Sequence, residues 1–173
     1  MLKKGYVQVY TGGGKGKTSA AFGLILRAVS ADLKVYCVQF LKKNATGEVR
    51  ALESFSDQVT IVQSGRKRAV GSPFSEEDQE IAVEDFRTAR DKVLSGAYDM
   101  VVFDEINILL HSNLIDVGEV LKMIEDKPEH TELVLTGRYA PNALIREADL
   151  VTEMRLVKHY YRSGVMAREG IER

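Results

Sequence analysis

Residues Tyr10 to Thr18 read YTGGGKGKT, and this stretch sets what the rest of the chain can be. It lies between an apolar run, Tyr6 to Tyr10, and a helix-forming run, Ser19 to Ser30. A glycine-rich loop between a strand and a helix is a candidate phosphate cradle: glycine lets successive backbone amides converge on one anion, and the helix adds its N-terminal dipole. The candidate phosphate ligands are therefore Gly12, Gly13, Gly14, Lys15, Gly16, Lys17 and Thr18. The spacing GxxxxGK[ST] ends on Gly16, Lys17 and Thr18 and asks for glycine at position 11, where Thr11 stands instead. The bland alternative is a flexible turn. Gly-Lys-Thr opening an apolar helix directly after a strand argues against it.

At 173 residues the chain fits one domain with a real hydrophobic core, here 1–173. Charge is nearly balanced, 24 basic residues against 25 acidic, so no global basic field points to nucleic acid and any anion binding must be local. A single cysteine, Cys37, excludes an internal disulfide and a multi-cysteine zinc site and fits a reducing compartment. No leader-like h-region follows Met1, and no apolar run nears the ~20 residues that span a bilayer. The expectation is a soluble cytoplasmic protein with no membrane partner.

Beyond the loop, strands and helices alternate. Lys34 to Phe40 (KVYCVQF) reads as a second strand, apolar throughout as in a parallel sheet covered on both faces. Ligands collect at the carboxyl ends of such strands, which makes Gln39 and Lys42 candidate site residues. Glu48 to Phe55 suits a short helix and Val59 to Gln63 a third strand. The irregular stretch from Ser64 to Phe74 holds Arg66, Lys67 and Arg68, a basic cluster that is ordinarily solvated. Ser75 with Asp78 forms a capping box for a helix whose inner face is Ala82, Phe86, Ala89 and Val93. Tyr98 to Phe103 is a fourth strand that runs into Asp104 and Glu105, carboxylates placed to hold Mg²⁺ directly or through water together with Thr18. Asp116 with Glu119 reads as another cap, Thr131 to Thr136 as a fifth strand with Gly137 and Arg138 at its tip, Pro141 to Arg146 as a short helix and Asp149 to Arg155 as a sixth strand. In the first helix, Ala20, Ala21, Phe22, Leu24, Ile25, Leu26, Ala28 and Val29 leave little polar face, so packing on most sides is expected, with Gly23 at a close approach to the sheet.

TGGGKGKT with SAAFG, then VQFLK, VVFDE, LTGR, ADLVTEM, VKHYY and a closing REGIE together resemble the P-loop family of ATP:cob(I)alamin (corrinoid) adenosyltransferases, in order and over nearly the whole chain. That family carries TGxGKGKT and so shares the displaced glycine. The fold expected is α/β: a P-loop, RecA-like open sheet, mostly parallel and twisted, of about six strands with helices on both faces. The resemblance implies that Co(I) of a corrinoid attacks the 5′ carbon of ATP and expels triphosphate. It implies Lys15, Lys17, Thr18 and the loop amides as electrostatic stabilisers of the leaving group, and Asp104 and Glu105 as supports of Mg²⁺. Arg138, Gln39 and Lys42 become further phosphate or structural contacts. Family members ease cobalt reduction with a Phe-Thr-Trp segment, matched here by Phe74, Ser75 and Glu76; Phe74 is kept, but the chain contains no tryptophan. Only Met1 to Gly5 stands where the family has a longer N-terminal extension. A homodimer and a reductase that supplies electrons are the implied protein partners.

Two other readings stay open on the residues alone. One is a P-loop small-molecule kinase, although Cys37 cannot build the zinc lasso of a thymidine-kinase-like core. The other is a nucleotide-gated, RecA-like binding module using Arg66 to Arg68, against which the balanced charge argues. His111 and His130 suit surface or capping roles, and His159, in VKH, is a weaker candidate for ligand contact.

Overall fold

A computed structural model describes residues 2–43, 46–66 and 72–172. Six strands form one sheet in the order β3-β2-β4-β5-β1-β6, every neighbouring pair parallel. They are β1 (Val7–Thr11), β2 (Val35–Gln39), β3 (Val59–Gln63), β4 (Met100–Asp104), β5 (Glu132–Thr136) and β6 (Leu150–Glu153). The helices are α1 (Lys17–Val29), α2 (Gly47–Leu52), α3 (Glu76–Leu94), α4 (Ile106–His111), α5 (Val117–Asp126) and α6 (Asn142–Glu147), with short 3-10 turns at Glu53–Phe55 and Tyr160–Ser163. This is the α/β, RecA-like arrangement.

The crossovers explain the two layers. From β1 the chain moves across the sheet to β2 and then β3, carrying α1 and α2 on one face; the return through β4, β5 and β6 carries α3 to α6 on the other. Right-handed crossovers require that reversal of face. Alternate strand residues feed the two cores. Val35, Cys37, Met100, Val102 and Val134 pack with Ala21, Phe22, Ile25 and Leu52, while Val38, Val101, Phe103, Leu133 and Leu135 pack with Phe86, Leu109, Met123 and Leu144. The central strands are apolar on both faces because both faces are covered.

Several local expectations are refined. Gly23 does not approach the sheet: α1 turns Ala21, Phe22, Ile25, Ala28 and Val29 inward, and a Cβ at Gly23 would meet nothing within 4 Å. Nor is the back of α1 sealed, since Leu26 is 50% exposed. The capping box of Ser75 and Asp78 is formed in full. At α5 the cap is Asp116 alone, whose side chain accepts from Gly118 N, while Glu119 reaches toward Arg90 at 4.0 Å. One helix escaped the sequence reading: α4, six residues that start immediately after Glu105. Among the described residues no helix is long and apolar enough to cross a membrane.

Candidate functional site

The loop at the carboxyl end of β1 explains its own departure from the usual spacing. Thr11 is still strand, paired with Glu153 of β6, and its hydroxyl accepts from Ala140 N at 3.2 Å. The turn comes one residue later, at Gly12 with φ 95°, where a Cβ would stand 2.5 Å from the Met154 carbonyl. That carbonyl accepts from Gly14 N at 2.7 Å, so the end of β6 braces the loop. Gly16, with φ 117°, caps α1. Lys17 is buried, and burial holds its ammonium below the ordinary lysine value; its Nζ donates to the carbonyls of Gly12 and Gly14, each at 2.8 Å.

Asp104, wholly buried at the tip of β4, is the hub. Its Oδ1 accepts from Thr18 at 3.0 Å and from Thr136 at 2.6 Å; its Oδ2 accepts from Gln39 at 2.9 Å and from Lys42 Nζ at 2.7 Å. Gln39 is in turn fixed by Gln63, whose amide donates to it at 2.8 Å. The sheet order makes this possible. β5 lies between β1 and β4, so Thr136 sits between the phosphate loop's strand and the acid's strand, and it also accepts from Glu105 N at 3.0 Å. Thr136 and Gln63 were not singled out by sequence, although both end strands that point at the site.

Glu105 has a different role from its neighbour. It takes a left-handed backbone, φ 69°, ahead of α4, and its Oε2 is buried without a hydrogen-bond partner. Burial, and then the Asp104 charge, raise its carboxyl above the ordinary glutamate range. Together with Lys17, Thr18, Lys42 and Arg138 it lines a cleft of about 550 Å³. Asp104 and Gln39 support that cleft without lining it.

The far wall is the chain after β6. Leu156, His159, Tyr161, Ile171 and Glu172 line the cleft, and Glu172 ties this segment to the loop: it accepts from Lys15 Nζ and from Arg168 Nη2, each at 3.1 Å, and from the Tyr160 hydroxyl. Lys15 Nζ also donates to the Ile171 carbonyl at 3.1 Å. Lys15 is thus engaged by the carboxyl-terminal segment, and its bonds to Glu172 and then to the Tyr160 hydroxyl raise its ammonium above the usual lysine value. His159 Nδ1 accepts from Tyr161 N at 3.1 Å, capping the 3-10 turn.

The remaining candidates lie elsewhere. Phe74 packs, half-buried, against the core layer of α3 to α6 and does not line the cleft. Arg66 pairs with Glu77, and Lys67 and Arg68 fall outside the described residues. His111 stacks against Tyr139 with ring centroids 4.5 Å apart, and His130 lies 3.0 Å from the Gly96 carbonyl at the end of α3.

Comparison with known proteins covers almost the full length of the chain. Residues 3–173 match the family model of ATP:corrinoid adenosyltransferase BtuR/CobO/CobP. A corrinoid adenosyltransferase of Sinorhizobium sp is 40% identical over 98% of this chain and 81% of its own length. That of Pseudomonas aeruginosa is 35% identical over 98% of this chain and 84% of its own. Corrinoid adenosyltransferase CobA of Salmonella typhimurium is 32% identical over 98% and 86% respectively. The chain therefore belongs to the ATP:corrinoid adenosyltransferase family.

Proposed function

We propose that this protein transfers the 5′-deoxyadenosyl group of ATP to the Co(I) centre of a corrinoid and releases inorganic triphosphate. The observation that carries the reading is the junction of loop and acid strand: Thr18 bound to Asp104 at 3.0 Å beside a buried Lys17, in a chain of this family. Cobalt supplies the electron pair of the new bond to C5′, the C5′–O bond breaks, and its electrons leave on the triphosphate. Charge therefore grows on the leaving group, and catalysis consists of stabilising it and aligning the two reactants.

Residue roles follow from position. Lys17 and the amides of Gly12 to Thr18 bind the triphosphate, and Lys17, held among the described residues by two carbonyls, can exchange them for phosphate oxygens. Arg138 and Lys42 reach the same cleft. Mg²⁺ fits here as an ion that keeps most of its waters, since the cleft offers it the hydroxyl of Thr18 and an unpartnered carboxylate oxygen of Glu105. Thr18 would hold it through its hydroxyl oxygen, the hydroxyl proton being directed to Asp104, with the unpartnered Glu105 Oε2 as second anchor. A bound Mg²⁺ supplies further neutralisation of the departing triphosphate. Asp104, already saturated by four donors, orients Thr18, while Gln39 orients Asp104. Phe74, away from the phosphates, serves the corrinoid. A homodimer in the cytoplasm, served by a reductase, completes the reading.

The test is an anaerobic assay with ATP and a chemically reduced corrinoid, following the light-sensitive cobalt–carbon chromophore and triphosphate. Formation of both in equal amounts is expected. Release of γ-phosphate alone, with no photolabile product, would overturn the assignment in favour of a kinase-like activity. Supplying Co(I) removes the reduction step from the measurement.

A further inference from the structure

We infer that Lys42 is a built-in counter-cation for the metal position, displaced when a metal–triphosphate complex binds. This rests on the nucleotide-site reading above. Its ammonium lies 2.7 Å from Asp104 Oδ2 and 3.5 Å from Thr18 Oγ1, next to the hydroxyl and the carboxylate that organise the metal end of the site.

The buried acid makes such a cation necessary. Asp104 has no exposure to solvent, and an ionised carboxylate in that setting needs an opposite charge as well as hydrogen bonds. Thr18, Thr136 and Gln39 are neutral donors; among the described residues Lys42 is the cation within salt-bridge distance of Asp104. A divalent ion on Thr18 would stand a few ångströms from this ammonium, and two cations so close repel strongly. One must leave. Lys42 can: it follows Leu41, whose φ is 61°, its side chain is 25% exposed, and it lines the cleft that the phosphates would enter. A lysine stem is long and flexible, so the ammonium can pass from carboxylate to phosphate while keeping its charge in the site.

The exchange makes metal binding conditional on nucleotide. With Lys42 in place the metal position is already neutralised, and a bare divalent ion is refused. Triphosphate brings the negative charge that accepts both Lys42 and the metal. Lys42 thereby selects the metal–nucleotide complex over either component alone.

Mn(II) binding, followed by the EPR signal of the free ion in nucleotide-free protein, tests this. K42Q keeps an N–H donor for Asp104 but deletes the charge, and K42R keeps the charge. K42Q should bind Mn(II) about tenfold or more tightly than wild type, the effect of removing one like charge at this distance, and K42R should match wild type. Equal Mn(II) affinity in K42Q and wild type, tight or undetectable, would overturn the proposal, provided that circular dichroism shows K42Q folded. Should K42Q not fold, K42M/D104N, in which the acid is neutral, replaces it: tighter Mn(II) binding than K42R/D104N supports the repulsion and equality refutes it. Wild type with ATP and Mn(II) tests the underlying reading separately, since no ternary complex there would sink the metal–nucleotide site itself.

Discussion

At the residue scale, Lys17, Thr18, Lys42, Glu105 and Arg138 line the cleft, while Asp104, Gln39 and Thr136 are buried behind it. Lys17→Ala removes a buried ammonium from the phosphate loop and is expected to lower kcat at least 10²-fold or so, as loss of a preorganised electrostatic group does. Phe74→Ala, outside the cleft, should leave ATP affinity within about twofold and raise the KM for corrinoid; equal loss of ATP affinity in both variants would refute the division. Glu105 gives a pH signature. Its carboxyl is held above the ordinary glutamate value of 4.5, so the folded protein keeps this proton to higher pH than the unfolded chain does. Stability therefore falls as pH rises from about 4.5 through the raised value, and Glu105→Gln removes that slope. The melting temperature of E105Q without nucleotide, relative to wild type, should climb between pH 4 and pH 7. That Lys17, Thr18 and the acid pair would come together at one cleft was legible because a motif reports them. The unpartnered state of Glu105 Oε2 was not, since it depends on a left-handed backbone and a helix, α4, too short to show a period.

At the scale of elements, β5 matters more than its sequence suggests. It reads as a strand from TELVLT alone, but its insertion between β1 and β4 follows from pairing, which no local pattern encodes. Thr136 gains its importance from that insertion. Thr136→Val keeps the shape but deprives Glu105 N and Asp104 Oδ1 of their partner, which should cost about 1–3 kcal/mol in urea denaturation. The same variant should lower kcat more than it raises the KM for ATP, because it loosens the group that orients Thr18. The strand ends and the Ser75 capping box were readable, since apolar runs and cap residues are local signals. Gly23 misled because glycine marks either close approach or open space, and only the packed helix tells which.

For the whole molecule, two cores on opposite faces of one sheet make its strands the common support of Gln39, Asp104 and Thr136. Phe103 is completely buried, with T-shaped contacts to Phe40 at 5.7 Å and Phe86 at 6.2 Å. Phe103→Ala should destabilise by about 3–5 kcal/mol, measured by denaturant unfolding. Alternating strands and helices made the fold class legible from the chain alone, whereas the brace from Met154 to the loop and the Glu172 tie to Lys15 join segments more than a hundred residues apart. The sheet order also works as a ruler. With β5 between them, the tips of β1 and β4 are held two strand spacings apart, roughly 10 Å. A gap of that width is set by backbone hydrogen bonds and not by side chains, so substitutions around the rim can change what enters the cleft without altering its gauge. Slippage of β5 by one residue would bring Leu135 or Gly137 to the place of Thr136, and the two halves of the site would lose their common fastening while the sheet stayed whole.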